Sequence, residues 1–465
     1  MSELKPTIWM NVTTSAGWNR PPVGIVRVEK SLVSELKEIY LENFKLCVWN
    51  GHRFIEWDSE KSIEKLPSPE EKKQKNSELN TLSQGLIYPI VGKEQALAYI
   101  AQGLLSLMPK KIMLWLNRFF FWSRPRIARW MQKNSHPVKK VFTQFEDNIS
   151  TKEANNSEIF KPDDILISVG LDWDHGYYSK FYSLRNDKKL KIVTCCYDLI
   201  PVLYPQYCVG EVAGIFTSYF LEIADASDLV LCISQQSERD FHELLNRTGG
   251  ARPVTQVFPL GDNVSKATSV TISDEINSIV KEDFILFVSS IERRKNHEVL
   301  YRAYHLLCAE GKRERLPKIV FVGMKGWGVG DLMKDIELDP ITQGLIIQFN
   351  HVSDAELRKL YESALFCVFP SLYEGWGLPV GEALSMGKVV ISSNRGSLPE
   401  VGGDLVRYID PWDPRAWAIE MYRMATDHVA RKELEEKILT QYKSRTWRMS
   451  ALSISKGIEK IYAAQ

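Results

Sequence analysis

The stretch Ser371-Leu372-Tyr373-Glu374-Gly375-Trp376-Gly377-Leu378-Pro379-Val380-Gly381-Glu382 places two glutamates eight positions apart around a glycine-rich turn. Pro379 suits the first turn of a helix, so the turn leaves main-chain N–H groups free at Gly377 and Leu378. A helix N-terminus carries a partial positive charge and can hold a diphosphate without a metal. Glu382, about one turn into the helix, then faces vicinal ribose hydroxyls, and Glu374 faces the group beyond the phosphates. The pattern predicts a nucleotide-sugar site.

The alternative interpretation is a surface loop followed by an ordinary amphipathic helix. The residues that follow favour the site, because Gly387 can end a short helix and the apolar run Lys388–Ser392 reads as a strand directly after it.

A basic turn lies upstream. Residues 284–289 read as a buried strand, and Arg294 and Lys295 follow it in the run Ile291-Glu292-Arg293-Arg294-Lys295-Asn296. Side-chain cations at such a place can stabilise the charge that develops on a departing diphosphate. Taken alone, the run is more typical of a solvated charged surface.

These motifs together resemble a known family. Glu374 and Glu382 resemble the E-x7-E signature of retaining GT-B glycosyltransferases of family 4 (group 1). Through Tyr197-Asp198-Leu199-Ile200-Pro201 the chain is also similar to bacterial mannosyltransferases of surface polysaccharide synthesis. The resemblance continues through residues 397–404 and Asp410-Pro411. It implies an α/β GT-B fold, in which two Rossmann-like domains enclose a cleft and a C-terminal helix crosses back to the first domain.

The resemblance also implies roles for the basic turn. Arg294 and Lys295 match the family's R-K-N position and are therefore implied to be diphosphate ligands. Many members carry a further arginine at the end of the preceding strand, where this chain has Ser289 or Ser290. Lys295 is therefore the cation on which the prediction chiefly rests.

Short apolar strands alternate with helical patterns along most of the chain, which independently predicts α/β architecture with parallel sheets. We predict an N-terminal acceptor-binding domain at 1–264, a C-terminal nucleotide-sugar-binding domain at 265–446 and a returning helix at 447–465. Polar residues from about 265 to 283 are predicted to form the interdomain linker. The predicted strands are 7–12, 165–169, 192–196, 229–233, 257–258, 284–289, 319–323, 345–349, 366–369 and 388–392; the predicted helices include 26–40 and 355–364, the latter opened by a capping box at Ser353 and Glu356.

Two places in the N-terminal half are candidates for the site. Gly24, in Pro22-Val23-Gly24-Ile25-Val26-Arg27, resembles the glycine loop that the family places over the donor phosphates and the acceptor. Asp198, in Tyr197-Asp198-Leu199-Ile200-Pro201, occupies a position where many members have His-Asp. Asp198 can orient an acceptor hydroxyl or cap a turn, and both interpretations remain open.

One motif indicates a different chemistry. Asp172-Trp173-Asp174 has the D-x-D spacing by which single-domain glycosyltransferases hold manganese. The complete second α/β half, with its own cations, argues against this interpretation. We predict no metal and no cofactor, the nucleoside diphosphate sugar being a substrate.

Composition limits the other classes of partner. The 465 residues carry a formal charge of +1, which gives no global attraction to nucleic acid. The 7 cysteines are scattered and lack zinc spacing, so a reducing cytoplasm is the simplest compartment. No apolar stretch reaches the roughly 18 residues of a spanning helix. We expect a cytoplasmic protein that can be peripheral on the inner face of the membrane.

A basic aromatic segment at about 95–145 lies outside the family pattern. It lacks acidic residues and interleaves lysines and arginines with tryptophans and phenylalanines. Such a segment suits an anionic membrane surface, with rings at the interface and cations at the headgroups. A helical hairpin packed on the first domain is the alternative, and RNA binding is a weaker third one.

The resemblance implies transfer of a hexose, with mannose from GDP-mannose as the first choice, to a hydroxyl of a lipid-linked or oligosaccharide acceptor. Glu374, Lys295 and Asp198 are the predicted catalytic residues. Arg294, Lys295, Gly377, Leu378, Pro379, Glu382 and Gly24 are the predicted donor-binding residues. A catalytically silent GT-B protein that binds glycans or scaffolds an assembly is the competing class. Nucleotide-sugar hydrolysis or epimerisation on the same fold is a third possibility.

Overall fold

The structure is a computed structural model that describes residues 6–18, 24–58, 159–210, 212–262 and 272–463. The basic aromatic segment at 95–145, Pro22 and Val23 lie outside these residues. The stretch 263–271 also lies outside them, so the exact boundary between the predicted domains remains a prediction.

Two separate sheets organise the described residues. The strands of the first sheet are β1 (Ile8–Asn11), β2 (Phe44–Trp49), β3 (Phe54–Glu56), β4 (Ile165–Ser168), β5 (Lys191–Cys196), β6 (Leu229–Cys232) and β7 (Val254–Val257). They lie in the order β3-β2-β1-β4-β5-β6-β7, and all neighbours are parallel except β2 and β3. Strands β1, β4 and β6 are buried throughout, as expected for parallel strands covered on both faces.

The helices of this first half are α1 (Thr13–Ala16), α2 (Gly24–Tyr40), α3 (Asp172–His175), α4 (Phe181–Asp187), α5 (Ile200–Leu203), α6 (Val212–Ala226) and α7 (Gln235–Thr248). Helix α2 buries Val28, Leu32 and Leu36, which recur every four residues and so form one apolar stripe. Ser234 caps α7 by accepting a hydrogen bond from the Ser237 N–H.

The second sheet is entirely parallel. Its strands are β8 (Phe284–Val288), β9 (Lys318–Val322), β10 (Ile346–Phe349), β11 (Phe366–Phe369), β12 (Val390–Ser393) and β13 (Arg407–Ile409), in the order β10-β9-β8-β11-β12-β13. The helices of this half are α8 (Asp274–Ile279), α9 (His297–Ala309), α10 (Gly330–Leu338), α11 (Asp354–Ser363), α12 (Leu378–Ser385), α13 (Leu398–Gly402), α14 (Pro414–Thr426), α15 (His428–Gln441) and α16 (Trp447–Ala463). The capping box predicted at Ser353 and Glu356 opens α11.

The strand order reverses between β1 and β4 in the first sheet and between β8 and β11 in the second. In open parallel sheets such a reversal leaves a crevice beyond the carboxyl ends of the two central strands, and ligands bind there. The basic turn follows β8, and the Glu374 loop follows β11. Sheet topology therefore brings together two motifs that are about 80 residues apart in sequence.

Helix α16 returns to the first half, as predicted. It packs against α2, β6 and β7. Tyr40 donates a hydrogen bond to Ser455 at 3.0 Å, and Ser450 donates to the Pro259 carbonyl at 2.6 Å. A Cβ atom at Gly457 would lie 2.9 Å from the Leu229 side chain, so a glycine lets the helix approach β6 closely.

Three details of the sequence prediction were wrong. The predicted linker at 265–283 contains α8, which buries Ile276 and Ile279. The few apolar residues of this helix stand among polar ones, so the stretch resembles a loop in composition. The strand predicted at 257–258 lies instead at β7, and strands β2, β3 and β13 were not predicted, since they are short or partly exposed.

Candidate active site

A buried carboxylate between two cations forms the centre of the site. Glu374 is 6% exposed. Lys295 Nζ lies 2.6 Å from one of its oxygens, and Arg294 Nη1 lies 2.8 Å from the other. Arg294 also pairs through Nη2 with Glu292 at 2.8 Å and donates to the Tyr373 carbonyl at 2.7 Å. The sequence prediction placed these three residues in one site, and the structure joins them directly.

Backbone geometry fixes the basic turn against the Glu374 loop. Arg293–Lys295 is a short 3-10 turn, which Asn296 ends in the left-handed conformation at φ 60°. The Asn296 side chain donates to the carbonyls of Pro370 and Pro411, and the Leu372 N–H donates to the Arg294 carbonyl at 2.8 Å. The two cations are therefore held before any ligand arrives, which is what electrostatic catalysis requires.

The pKa values of the cluster follow from burial and from pairing. Burial alone would raise the pKa of Glu374, but Arg294 and Lys295 more than offset it and lower this pKa to about 2. Burial and the neighbouring Arg294 lower the pKa of Lys295, although Glu374 opposes them. Burial and Lys295 also lower the pKa of His297 to about 3, so this histidine is neutral. Glu374 thus remains an anion over the whole physiological range.

The loop between β12 and α13 fixes the backbone of Glu374. The Ser397 N–H and hydroxyl donate to the Glu374 carbonyl at 3.1 and 3.0 Å, and the hydroxyl also lies 2.8 Å from the Trp376 carbonyl. Gly396 has a φ of 60°, and a Cβ atom there would lie 2.4 Å from the Glu374 carbonyl oxygen. These contacts give a structural reason for the Gly396-Ser397 sequence downstream of the glutamates.

Glu382 lies in the same loop–helix unit with different partners. It is 3% exposed, and its Oε1 accepts from Arg27 Nη1 at 2.6 Å. Its Oε2 accepts from the Tyr361 hydroxyl at 2.9 Å. Arg27 belongs to α2, so this ion pair joins the two halves of the protein. Arg27 is not among the site residues predicted from the sequence.

Helix α12 begins as predicted beyond Gly377, whose φ of 112° disfavours any residue with a side chain. Leu378 opens the helix, and Pro379 occupies its first turn, where a missing N–H costs nothing. Gly24 is the first residue of α2 and has a φ of 50°. Through Arg27, three residues further on, α2 reaches the Glu382 end of the site.

Asp198, from the first half, lies close to the loop that carries Glu374. A Cβ atom at Gly375 would lie 2.7 Å from Asp198 Cβ and 2.7 Å from the Tyr197 carbonyl, so glycine allows the two halves to touch. Asp198 accepts from the Ile200 N–H at 3.0 Å, which is the turn-capping role considered in the sequence analysis. Burial raises the pKa of Asp198, and Arg294 opposes this effect. Its proximity to the cluster keeps the second role open as well.

Further contacts between the halves were missed from sequence. The Tyr373 hydroxyl donates to Asp240 on α7. The Glu400 carboxylate accepts from the N–H groups of Gln235 and Gln236 at 2.8 and 2.7 Å, and thus caps α7 from the other half. A capping signal read locally cannot identify such a partner, because Glu400 lies 165 positions away in sequence.

Asp262, the last described residue of the first half, is 1% exposed and contacts the segment 442–445 that leads into α16, called here the returning segment. Its carboxylate accepts from the hydroxyls of Tyr442 and Ser444 and from the Arg445 N–H, all on the returning segment. A Cβ atom at Gly381 would lie 2.7 Å from Asp262 Cβ. Asp262 and the segment 442–445 therefore pack against α12, next to Glu382.

The alternative metal motif does not form a joint site. Asp172 is fully buried and accepts from Ser168 and from Tyr177 at 2.7 and 2.6 Å, whereas Asp174 is exposed on the same helical turn. Side chains two positions apart on a helix do not face each other. In the described part of the chain, no group of three or more His, Cys, Asp or Glu residues is placed to hold a metal ion.

Two Rossmann-like halves that meet at the carboxyl ends of their sheets, with a helix returning to the first half, define the GT-B class of glycosyltransferase. Solved structures agree on this fold. A sucrose-phosphate synthase from Thermosynechococcus elongatus superposes with a TM-score of 0.50 at 22% identity, over 65% of this chain and 74% of that one. An alpha,alpha-trehalose 6-phosphate synthase from Burkholderia multivorans gives 0.52 at 14% identity, over 66% and 72%.

Residues 270–440 match the family model of glycosyl transferases group 1. O-antigen chain mannosyltransferase B of Escherichia coli is 29% identical over 258 residues, which cover 55% of this chain and 67% of that protein. Serotype-specific mannosyltransferase WbdA of Escherichia coli is 28% identical over 297 residues, which cover 62% of this chain and 36% of WbdA. Residues 270–440, which span most of the second half of the chain, are thus similar to the group 1 glycosyl transferases.

Proposed function

We propose that this protein is a retaining mannosyltransferase that moves mannose from GDP-mannose to a hydroxyl of a lipid-linked or oligosaccharide acceptor in bacterial surface polysaccharide synthesis. The observation that carries the proposal is the buried Glu374, which is paired with Arg294 and Lys295 at the strand-order reversal of the second sheet. The similarity to O-antigen mannosyltransferases supports the choice of sugar and of process.

In this proposal the donor diphosphate lies between the basic turn and the start of α12. Lys295 has three N–H donors and uses one for Glu374, so it can share its charge with a phosphate oxygen. Arg294 is more heavily engaged, with Glu374, Glu292 and the Tyr373 carbonyl. Glu382 has further lone pairs beyond those that Arg27 and Tyr361 occupy, and these accept the ribose hydroxyls.

The proposed reaction uses these positions. The bond between the sugar C1 and the diphosphate oxygen breaks, and the acceptor oxygen bonds to C1 on the same face. The acceptor proton passes to the departing diphosphate oxygen, so no covalent glycosyl-enzyme is needed. The Glu374 carboxylate stabilises the positive charge that develops on the sugar, and Lys295 with Arg294 stabilises the charge on the diphosphate.

The proposal includes metal independence, because two fixed cations and a helix N-terminus stand where the diphosphate charge develops. Activity is expected to survive EDTA. Loss of activity in EDTA with recovery on adding manganese would instead favour metal chemistry and count against this mechanism.

A thermal-shift panel of GDP-, UDP-, ADP- and dTDP-sugars tests the donor. A ligand present at a hundred times its dissociation constant adds about 2.7 kcal/mol to the free energy of unfolding, so the correct donor should stand out. Incubation of that donor with candidate acceptors follows, and NMR of the product compares its anomeric configuration with that of the donor. An inverted product contradicts retention, and free mannose as the only product indicates hydrolysis.

A lipid-linked acceptor places the protein at the cytoplasmic face of the membrane as a peripheral protein. Among the described helices, none has the length and hydropathy that crossing a bilayer requires. The basic aromatic segment at 95–145 supplies the proposed contact with anionic lipid. Sedimentation with vesicles that contain phosphatidylglycerol, compared with purely zwitterionic vesicles, tests this step, and binding should weaken as salt rises.

A further inference from the structure

Four aromatic residues meet at the junction of the two halves, beside the Glu374 loop. Trp327, on the loop after β9, donates its indole N–H to the Tyr207 carbonyl at 2.8 Å. The rings of Tyr204 and Tyr207 are stacked, with centroids 5.9 Å apart and planes 22° apart. Tyr204 also contacts Tyr373, at 4.8 Å between centroids. We call these four residues the junction aromatics.

The Trp327 ring is held in place and yet remains open to solvent. It is 44% exposed. Its loop packs closely against the turn after β8. A Cβ atom added at Gly323 would lie 2.0 Å from the Ser289 carbonyl oxygen, and one added at Gly326 would lie 3.1 Å from the Ile291 carbonyl oxygen. Burial of a Trp side chain in the core would gain far more free energy than this position does. A closely packed loop thus presents a flat, partly exposed apolar face where the two halves meet.

The junction aromatics adjoin the transfer centre. Tyr373 directly precedes Glu374, and Arg294 binds both the Tyr373 carbonyl and the Glu374 carboxylate. Tyr373 and Tyr207 are buried, which leaves the partly exposed Tyr204 ring and the exposed Trp327 ring as the accessible part of the group. The exposed Arg293 packs next to the loop that carries Trp327. A Cβ atom added at Gly328 would lie 3.7 Å from Arg293 Cβ.

A pyranose ring matches such a surface. Its axial C–H groups form an apolar face that stacks on an aromatic ring, while its hydroxyls seek donors and acceptors at the rim. Binding sites that combine aromatic walls with a few polar groups are the usual form for small polar ligands. We propose that Trp327 and Tyr204 form the acceptor-saccharide subsite and stack on the pyranose next to the attacked hydroxyl. This inference rests on the proposed function, since it assigns the acceptor of the same transfer.

The competing role for Trp327 is that of a latch, in which the indole N–H simply ties the loop to Tyr207. Two substitutions separate the roles. Trp327→Phe keeps a stacking face but removes the N–H, whereas Trp327→Leu removes both. Tyr204→Phe and Tyr204→Leu form the same pair for the second ring. Trp412→Leu, at a tryptophan that is 64% exposed and outside the junction aromatics, controls for loss of surface area.

The experiment uses the full chain with the donor identified by the thermal-shift panel. Methyl α-mannoside, α-mannobiose and α-mannotriose serve as acceptor probes. Trp327→Leu and Tyr204→Leu should raise the acceptor KM about tenfold and reduce the preference for the longer saccharides. The two Phe variants should stay within about threefold of the wild type, and Trp412→Leu should not differ from it. The dissociation constant for the donor should be unchanged in every variant.

Each other outcome contradicts the inference. If Trp327→Phe and Trp327→Leu lose activity equally and donor affinity falls in both, the residue is a latch. If the acceptor KM is unchanged in the Leu variants, the acceptor binds elsewhere. Wild-type protein that binds its donor but neither glycosylates nor binds these saccharides also overturns the subsite. Failure to bind any nucleotide sugar is a different result, because it overturns the proposed function itself.

Discussion

Two buried glutamates, one in each half of the protein, have opposite electrostatic surroundings. Glu374 is 6% exposed and Glu29 is 0% exposed. Glu374 is paired with two cations, and its pKa is lowered to about 2 although burial opposes this. Burial raises the pKa of Glu29 to about 7, and its hydrogen bond from the Ser15 N–H at 2.7 Å does not offset this effect.

The opposite pKa shifts show that burial alone does not fix the charge of a glutamate in this protein. Within the described residues, Glu29 Oε2 has no hydrogen-bond partner, and the nearby Asp172 raises its pKa further. Glu29 is therefore expected to be protonated and neutral, buried against α1, where the Ser15 N–H donates to it. Glu374 is an obligate anion, because Arg294 and Lys295 would otherwise be buried without a counter-charge. Burial alone does not predict a functional carboxylate, whereas burial with fixed cations does.

The largest effect is expected from Glu374→Gln. The amide keeps the size of the side chain but removes the charge that, in the proposed mechanism, stabilises the sugar in the transition state, and it leaves two cations uncompensated. We expect kcat to fall about 10²- to 10³-fold with a much smaller change in donor affinity, measured by steady-state kinetics and calorimetry. Glu337→Gln, at an exposed position, is the matched control. Wild-type turnover in Glu374→Gln would remove the basis of the site assignment.

Lys295→Ala tests the other side of the same ion pair. Loss of one preorganised donor to the diphosphate should cost about 2 to 4 kcal/mol of transition-state stabilisation, seen as a fall in kcat/KM. The assay is run in EDTA, so that no adventitious metal replaces the cation. Lys334→Ala, on the exposed face of α10, should have no effect. A variant that retains full kcat/KM would leave the charge of the leaving group without its proposed partner.

Glu29 should control the pH dependence of stability near neutrality. Its folded pKa of about 7 lies above the unfolded value of 4.5, so the folded state binds more protons between these pH values, and the free energy of unfolding falls as pH rises through this window. The contribution is about 3 kcal/mol at most. Glu29→Gln should flatten the change in urea midpoint between pH 5 and 7. Asp172, whose burial raises its pKa to about 6, leaves a smaller slope of the same sign.

Glu374 should act with the opposite sign and at lower pH. Its pKa is lowered from 4.5 to about 2, so its contribution to stability is present above pH 4.5 and is lost as pH falls toward 2. Glu374→Gln should therefore leave the slope between pH 5 and 7 unchanged. If both variants change the same limb of the stability profile, the contrast between the two glutamates is wrong.

The smallest effect is expected at the other carboxylate of the site. Glu382→Gln weakens acceptance from the ribose hydroxyls, so the dissociation constant for the donor should rise about tenfold while kcat changes little. Arg27→Met distinguishes ribose binding from domain pairing, because it removes the interdomain ion pair but keeps the carboxylate. If Arg27→Met reproduces the whole effect of Glu382→Gln, the glutamate acts through the ion pair rather than on the ribose.

Local sequence was sufficient to predict the α/β architecture and the turn and helix start that follow Glu374. Apolar runs marked the buried strands β8, β9 and β11, and Gly377 with Pro379 marked the start of α12. The Ser353–Glu356 capping box was also correct, since both partners lie within one turn. The helix α8 was missed because its signal consists of two buried isoleucines in a polar stretch.

Sequence alone therefore determined the α/β strands and the turn around Glu374, because backbone conformation and spacing are encoded locally. The GT-B class was implied by the resemblance to a known family. Only the tertiary structure decided which partners they meet. Arg27 reaches Glu382 over 355 positions, and Glu400 caps α7 over 165. Asp262 accepts a hydrogen bond from the Arg445 N–H, and the absence of a side chain at Gly375 lets Asp198 approach closely. Such contacts depend on how two sheets are oriented toward each other, and no periodicity within one segment records that orientation.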